Sequence, residues 1–442
     1  MVQRVNSAAV VLWGVEIGAI SWDDERELGI FQYAPEFLDS GVQVSPLMMP
    51  LAPQPYSFPA LNGETFKRLP GLLADVLPDK FGTAMIEQWL LQQGIASHSF
   101  SPVERLCYIG NRGMGALEFK PVVDRNLPAT SRALDVADMV ALASRILNSR
   151  QALTAELKNG DDELNERSLA DILHVGSSAG GARAKAVVAW NRETNEVRSG
   201  QVALPPAFEH WLIKFDGVAN NRDKELADGR GYGKMEYAYY KMALSAGIDI
   251  SECRLLEENG RHHFMTRRFD RTRGGGKLHM QSLCALQHYD FNLPGAYSYE
   301  QAMATAVELG LGKRAVEQLY VRALFNIMAR NQDDHVKNIA FLMDTSGEWR
   351  LAPAFDLTFS YNPQGAFTGR HQMTFNGKRD GFTHTDFTDV AQRFTIPKNR
   401  AIDFAERVLT AVNTWEAEAS AVGVGEESIV ARKTLMRTDW AE

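Results

Sequence analysis

A short polar segment around residue 335 holds the side chains of this sequence best suited to chemistry. Asp333 and Asn338 stand five positions apart, and Asp356 follows them after two short apolar runs. A positioned carboxylate can accept the proton of a hydroxyl group, and carboxylate and amide oxygens are good ligands for Mg²⁺. The pattern therefore predicts a general base, Asp333, beside a magnesium site formed by Asn338 and Asp356.

The order of these residues matches the catalytic apparatus of protein kinases, in which the same spacing separates the catalytic Asp from a metal-binding Asn. The sequence predicts two strands, 338–343 and 348–351, around a turn, with Asp356 in the loop that follows. Leu357 stands one residue later, near the place where kinases have a glycine. Aspartates are also common in turns and at helix caps, so a purely structural role is the alternative.

A lysine within an apolar strand is the second feature of interest. Lys214 ends the run Trp211-Leu212-Ile213, and burying an ammonium group is costly unless it has a partner. The small lobe of a kinase places such a lysine on the nucleotide phosphates. Glu236, on the next predicted helix, is a candidate partner. The alternative is an edge-strand lysine whose charged end lies in water.

Residues 174–185 form a segment rich in glycine and serine, whose backbone amides could bind phosphate. The segment fits neither of the two common phosphate-loop motifs, and alone it would be a generic flexible loop. It contains adjacent hydroxyls, Ser177 and Ser178, and a serine above the γ-phosphate of ATP is a candidate phosphoacceptor.

A basic cluster lies between residues 261 and 277, with Asp270 as its one acidic member: Arg261, Arg267, Arg268, Arg271, Arg273 and Lys277. Such a cluster could contact phosphates, a protein substrate or DNA. A solvated face with partial internal pairing is an equally good interpretation.

The strands and helices expected around these residues predict an α+β protein of three parts. Residues 1–122 read as a mixed N-terminal subdomain, 123–270 as a small lobe of strands around one helix, and 271–442 as a mainly helical lobe. In the first part, residues 64–93 read as helices broken by Pro70 and Pro78, and 116–119 as a closing strand. The strands expected in the small lobe are 186–190, 210–215 and 262–269. One apolar stripe from Val316 to Met328 has helical spacing, which predicts a helix at the centre of a core. The polar segment with Asp333 begins shortly after this helix.

Composition narrows the class of protein. The chain has 442 residues, 45% hydrophobic and 23% charged, with a net charge of −8, which excludes a disordered or fibrous chain and disfavours general binding to nucleic acid. Three distant cysteines form neither a metal pair nor a disulfide framework, which favours a reducing compartment. The apolar run 8–13 is too short to span a membrane, so the cytoplasm is the expected location.

Several motifs together resemble the HipA toxins, serine/threonine kinases of bacterial toxin–antitoxin modules. The similarity extends from about residue 10 to about residue 410. It rests on Leu72–Gly82 and Gly115–Phe119 in the N-terminal subdomain, Gly176–Lys185 as phosphate loop, Arg268–Arg271 after the hinge, Asp333–Asn338 as catalytic loop and Pro353–Leu357 as metal loop.

This resemblance implies a two-lobed fold related to phosphoinositide and protein kinases, with an extra N-terminal subdomain. It implies Asp333 as base, Asn338 and Asp356 as magnesium ligands, and a hinge near Thr266–Phe269 that holds the adenine. The ATP contacts that follow are Ser178, Ala179, Gly180, Gly181, Lys214, Thr266, Arg267, Arg268, Phe269, Asp270, His335 and Lys337.

The resemblance also implies regulation and partners. Autophosphorylation on Ser178, with Ser177 as the alternative site, would eject the loop and inactivate the kinase. The expected partner is a HipB-like helix-turn-helix antitoxin that carries the toxin to operator DNA, and the expected target is a protein such as an aminoacyl-tRNA synthetase. Ala184 departs from the family, which often has proline there.

Two other functions compete with this interpretation. One is a catalytically quiet corepressor that only binds its antitoxin, although a quiet protein need not keep Asp333, Asn338, Asp356 and Lys214 together. The other is a small-molecule kinase of the aminoglycoside type, which shares the Asp–Asn–Asp order but would not be expected to carry the N-terminal motif or the serine-containing loop.

Overall fold

Four antiparallel strands near the N-terminus begin the fold in the computed structural model. They are β1 Ser7–Leu12, β2 Val15–Asp23, β3 Leu28–Tyr33 and β4 Leu117–Lys120, in the order β3-β2-β1-β4. The structure describes residues 5–78, 80–92, 94–121, 134–148, 183–200, 204–205, 207–218, 222–223, 226–227, 231–272 and 274–439. Because β4 pairs with β1, the predicted closing strand at 116–119 is confirmed.

Short helices connect β3 to β4, and the proline residues predicted to break them do so. The helices are Pro35–Leu38, Gly63–Phe66, Gly71–Ala74, Lys80–Gln92 and Pro102–Ile109. Pro70 caps the third of them, and Pro78 lies just before the fourth. Phe81, Ile86 and Trp89 of the helix Lys80–Gln92 pack against the next sheet. The N-terminal region therefore shares a core with the part that follows it.

That next sheet has five antiparallel strands. They are β5 Lys185–Asn191, β6 Val197–Ser199, β7 Phe208–Lys214, β10 Cys253–Glu258 and β11 Arg261–Arg267, in the order β10-β11-β7-β5-β6. The two-residue strands β8 Arg222–Asp223 and β9 Leu226–Ala227 form a separate ribbon. The helix Val136–Asn148 shares its core, and the helix Tyr232–Ser245 follows β9 along the chain.

Strand β10 is absent from the sequence prediction, although a local signal for it exists. Asn259 and Gly260 separate β10 from β11, and both have positive φ, 47° and 73°. An Asn-Gly pair between two apolar runs is a strong hairpin signal, because a two-residue turn of this type needs left-handed backbone at both positions.

The C-terminal part is mainly helical, as predicted. Its helices are Leu283–Gln287, Tyr299–Glu308, Gly312–Met328, His384–Arg393, Lys398–Asn413, Trp415–Ala421 and Glu426–Lys433. The apolar stripe of Gly312–Met328 is buried along its whole length, which confirms the predicted central helix.

A small sheet packs against the N-terminal region through Met343 and against the helical part through Phe341. It consists of β12 His279–Ser282, β13 Ala340–Met343 and β14 Trp349–Leu351, all antiparallel. The predicted hairpin between Asn338 and Asp356 is present, but the first strand begins at Ala340, because Val336–Asn338 form a turn of 3-10 helix. Asn338 therefore lies on a tight turn rather than in a strand.

The N-terminal region also contacts the C-terminal part. The Asp75 carboxylate accepts hydrogen bonds from the Ser282 backbone and hydroxyl, each 2.7 Å long. The boundary predicted after residue 122 falls outside the described residues, and both proposed domain boundaries stay predictions. In the described part of the chain, no helix combines the length and apolar character needed to cross a bilayer.

Candidate active site

The predicted catalytic, metal-binding and lysine residues line one cleft of about 640 Å³. Asp333 and Asn338 follow the central helix, Lys214 ends β7, and Asp356 lies in the loop after β14. The fold thus brings together residues up to 142 positions apart. His335 and Lys337 line the same cleft.

Lys214 is paired with two carboxylates. Its ammonium nitrogen lies 2.5 Å from Glu236 Oε1, and it also hydrogen-bonds Asp356 Oδ1. Glu236 is 2% exposed, so the pair predicted from the sequence lies inside the protein. Burial disfavours the charged form of Lys214, but the carboxylates of Asp356 and Glu236 outweigh burial and raise the pKa of Lys214 above its usual range. Lys214 therefore stays charged.

Asp356 occupies a backbone conformation that few side chains adopt, with φ at 53°. Its carbonyl oxygen accepts a hydrogen bond from Asn331 Nδ2 at 3.4 Å, which links the loop after β14 to the segment after the central helix. Burial favours the neutral carboxyl, yet Lys214 and then Lys185 outweigh burial and hold the pKa of Asp356 below its usual range. The carboxylate is ionised and can bind a cation.

The structure distinguishes between two adjacent aspartates. Asp334 has a side chain only 1% exposed, and its carboxylate accepts hydrogen bonds inside the protein. The Asp333 side chain is 19% exposed and lines the cleft. Asn338 Nδ2 donates to the Asp333 carbonyl at 2.9 Å, which holds the turn closed. Asp333 is thus the member of the pair that faces the cleft.

His335 lies near Asp333, and both His335 and Lys337 lie near an aromatic ring. His335 Nε2 lies 3.9 Å from Asp333 Oδ1, and its ring lies 5.5 Å from that of Phe291. Lys337 Nζ lies 5.2 Å from the centre of the Phe291 ring. Both side chains therefore contribute to the cleft wall near Asp333.

The predicted adenine hinge reaches the same cleft. Thr266, Arg267, Arg268 and Phe269 line it, and the Phe269 ring lies 5.5 Å from that of Phe355. Together with Met280 these rings form an apolar slot beside the small sheet.

Asp270 is an exception, because its predicted contact with ATP does not fit the structure. The residue is 0% exposed and is not part of the cleft wall. Its carboxylate accepts hydrogen bonds from Arg268 Nε at 2.9 Å, from Arg271 Nη1 at 2.8 Å and from the Gly115 backbone at 2.7 Å. Asp270 therefore joins the N-terminal region to the segment after the hinge.

The basic cluster is internally paired wherever the structure describes it. Arg268 and Arg271 bind Asp270, Arg261 binds Glu258, and Lys277 binds Glu118. Arg267 lies 3.5 Å from Glu209. Internal pairing explains these cations, whereas Arg273 lies outside the described residues.

Two further groups of the cleft wall contribute side chains that were not predicted individually as site residues, although the first group lies within the predicted phosphate loop. The first is cationic: Lys185 begins β5, and Arg183 lies 4.0 Å from Glu236. Lys185 precedes the apolar run 186–190, the same signal that identified Lys214. The second group comes from the N-terminal region: Glu64, Thr65, Lys67, Asp75, Lys80, Thr83 and Glu87. No local pattern predicts the group from the N-terminal region.

The predicted ATP contacts of the phosphate loop, Ser177, Ser178, Ala179, Gly180 and Gly181, lie outside the described residues.

Two family models match the chain. The HipA N-terminal domain matches residues 8–120, and the HipA-like C-terminal domain matches residues 177–415. The second match spans more than half of the chain, and the protein belongs to the HipA family.

The fold of the chain is similar to that of a solved HipA structure. The chain is similar to HipA in a complex of HipA, HipB and operator DNA from Shewanella oneidensis MR-1, with a TM-score of 0.66 and 16% identity over 97% of this chain and 95% of that one. The proinflammatory kinase CtkA of Helicobacter pylori has a TM-score of 0.30 and 14% identity over 50% of this chain and 91% of its own. No curated protein sequence matches the chain.

Proposed function

We propose that this protein is an ATP- and magnesium-dependent serine/threonine protein kinase. One observation carries the proposal: the charged Lys214, paired with buried Glu236 and with Asp356, lines the same cleft as Asp333 and Asn338. Phosphoryl transfer depends mainly on positioning and on charge compensation, and this set supplies both.

Each side chain has a role that its position supports. Asp333 lines the cleft and would accept the proton of the substrate hydroxyl. The amide nitrogen of Asn338 donates a hydrogen bond to the Asp333 carbonyl. The amide oxygen of Asn338 would therefore be the ligand atom for magnesium. The ionised Asp356 is the second ligand, and oxygen donors of this kind suit Mg²⁺. Bound magnesium would compensate the negative charge of the phosphates.

Cationic and apolar groups of the cleft wall support nucleotide binding. Arg183, Lys185 and Lys214 line the part of the cleft near Asp356 and suit a triphosphate. Phe269 and Phe355 provide flat apolar surface for a purine ring. The donor set therefore fits Mg·ATP.

The family suggests the biological setting. We infer that the chain is the toxin of a toxin–antitoxin module, since the similar Shewanella protein was solved with HipB and operator DNA. A HipB-like antitoxin would contact the DNA, and this acidic chain would reach DNA only through it. The expected substrate is a translation-related protein such as an aminoacyl-tRNA synthetase.

Self-inactivation through Ser178 belongs to the same proposal. A phosphoserine carries about −1.5 to −2 charges at neutral pH. Beside a triphosphate and the carboxylates of Asp333 and Asp356 it would be repelled, so the modified loop should leave the cleft. Intact-mass analysis after incubation with Mg·ATP, followed by peptide mapping, tests this. A phosphate on Ser177 would correct the residue, and an unmodified loop would refute the mechanism.

Thermal melting and phosphate transfer with Mg·ATP test the central proposal. ATP at about 100 times its dissociation constant should stabilise the wild type by roughly 2.7 kcal/mol. Asp333→Asn should keep this stabilisation but lose transfer about 10²–10⁴-fold, because an amide cannot accept the proton. Binding to an antitoxin without any ATP effect would instead indicate the quiet corepressor. Transfer to an aminoglycoside but to no protein would indicate a small-molecule kinase.

A further inference from the structure

The buried aspartate beside the candidate base is the centre of a polar network. Asp334 Oδ2 accepts hydrogen bonds from Tyr299 and His371, each 2.7 Å long, and Oδ1 accepts one from the Gln372 backbone at 2.8 Å. A buried carboxylate is costly unless its oxygens are satisfied. This network holds Asp334, the residue next to Asp333, inside the protein.

The contacts of His371 define its tautomer. Arg437 Nη1 lies 3.5 Å from His371 Nε2, and a guanidinium group can only donate hydrogen bonds. We therefore assign Nε2 as the acceptor and place the proton on Nδ1, which donates to Asp334. The three residues form a hydrogen-bonded relay that runs from Arg437 through His371 to Asp334.

The C-terminal segment is anchored where the catalytic loop begins. The Arg437 backbone donates to the Met328 carbonyl at 2.9 Å, and Arg330 Nε donates to the Leu435 carbonyl at 2.7 Å. The Arg437 side chain also pairs with Asp380. These contacts lie at the end of the central helix, although Arg437 comes well after residue 415, where the family match ends.

The same network continues to the loop that carries the candidate metal ligand. Asn326 Nδ2 donates to the Tyr299 hydroxyl at 2.8 Å, and Asn331 Nδ2 donates to Asn326 Oδ1 at 2.9 Å. Asn331 also reaches the Asp356 carbonyl. One set of buried hydrogen bonds therefore spans both loops.

We propose that His371 and Arg437 are positioning residues that act through Asp334 to hold Asp333 at the phosphoryl-transfer site. The proposal rests on the proposed kinase function. Asp333 and Asp334 are neighbours, so the anchor on one sets the direction of the other. Small displacements of a catalytic group reduce rate strongly, by up to about 10²-fold per ångström. Nucleotide binding should change little, because neither residue lines the cleft.

Steady-state kinetics of matched variants test this. His371→Leu should lower kcat at least about tenfold while the KM for ATP stays within about twofold. His371→Asn should recover most of the rate, because its amide nitrogen replaces Nδ1 as the donor to Asp334. Arg437→Met should lower kcat in the same way, whereas Lys433→Gln, from the same segment but bound to Asn413, should not.

Two further measurements keep the proposal testable if His371→Leu does not fold. Nitrogen-15 NMR of histidine-labelled wild type should show His371 protonated on Nδ1, and a proton on Nε2 would overturn the relay. Hydrogen exchange of Arg437→Met should show faster exchange of amides 331–338, and unchanged exchange would overturn it.

The kinetic outcomes separate this inference from the proposed function. A wild type without any transfer contradicts the kinase assignment itself. An active wild type with equal kcat in His371→Leu and Arg437→Met contradicts only the relay. Equal loss in His371→Asn and His371→Leu also contradicts it, because the donor to Asp334 would then be irrelevant.

Discussion

Replacing Asp270 by asparagine tests whether this residue stabilises the fold rather than binding the nucleotide. The substitution keeps the shape of the side chain but removes its charge. Arg268 and Arg271 have side chains only 1% and 7% exposed, and both would lose their anionic partner. The prediction is a large loss of stability without a loss of nucleotide affinity.

The magnitude follows from the burial of this group. Removing one partner of a buried ion pair typically costs about 3–5 kcal/mol, because the remaining charge stays buried and uncompensated. Asparagine can still accept from the Gly115 backbone, so the lower half of this range is expected. With a urea slope of about 3 kcal/mol/M, the unfolding midpoint should fall by roughly 1 M.

Urea unfolding followed by tryptophan fluorescence measures this change, and isothermal titration with Mg·ATP below the transition measures affinity. Glu118→Gln is the matched control, because it removes the partner of Lys277 from a pair that is 24% and 28% exposed. Partly exposed pairs contribute about 0–1 kcal/mol, so this midpoint should move little. Both variants should bind ATP within about twofold of the wild type.

The pH dependence has a defined sign. Burial favours the neutral form of Asp270, but Arg268 and Arg271 outweigh burial and hold the pKa of Asp270 below its usual range. A carboxylate with a lowered folded pKa contributes stability above its unfolded pKa of about 3.9, and this contribution is lost as pH falls further. The difference between wild type and Asp270→Asn should therefore be constant from about pH 5 to 8 and shrink below pH 4.

Unchanged stability together with a tenfold weaker ATP affinity would refute this reasoning. That result would mean that Asp270 contacts the nucleotide, as the family resemblance implies, and that its arginine partners contribute little to folding.

The remaining predictions concern the cleft. Asp356→Ala and Asn338→Ala should each reduce the effect of magnesium on ATP affinity, measured by titration with and without the metal, and an undiminished effect would exclude them as ligands. Lys214→Met should weaken ATP binding roughly tenfold, or about 1.4 kcal/mol, while circular dichroism stays unchanged. An unfolded variant would show that Lys214 is structural. Asp333→Asn should bind ATP normally but transfer phosphate at most about a hundredth as fast.

Local patterns in the sequence already determine much of the fold and of the candidate site. The helical stripe ending at Met328 predicts a buried helix, and the burial confirms it. The spacing of Asp333, Asn338 and Asp356 predicts a loop, a hairpin and a second loop, which the structure contains. These features are readable because they depend on periodicity and turn chemistry over a few neighbouring residues.

Tertiary structure decides which of several similar residues faces the cleft. The spacing to Asn338 selects Asp333 as the base, but only the contacts with Tyr299 and His371 show that its neighbour Asp334 is a buried anchor. The sequence places Asp270 beside a nucleotide-binding hinge. The structure shows instead that its carboxylate binds the Gly115 backbone, 155 positions away.

The physical reason is the range of the interactions. Local propensity and periodicity act over one or two turns of chain, whereas a buried ion pair or hydrogen bond depends on which distant segment supplies the partner. Local sequence patterns therefore predict the chemical groups and their order along the chain. The contacts of Asp270 with the Gly115 backbone, and of Asp334 with Tyr299 and His371, decided which of those groups face the cleft.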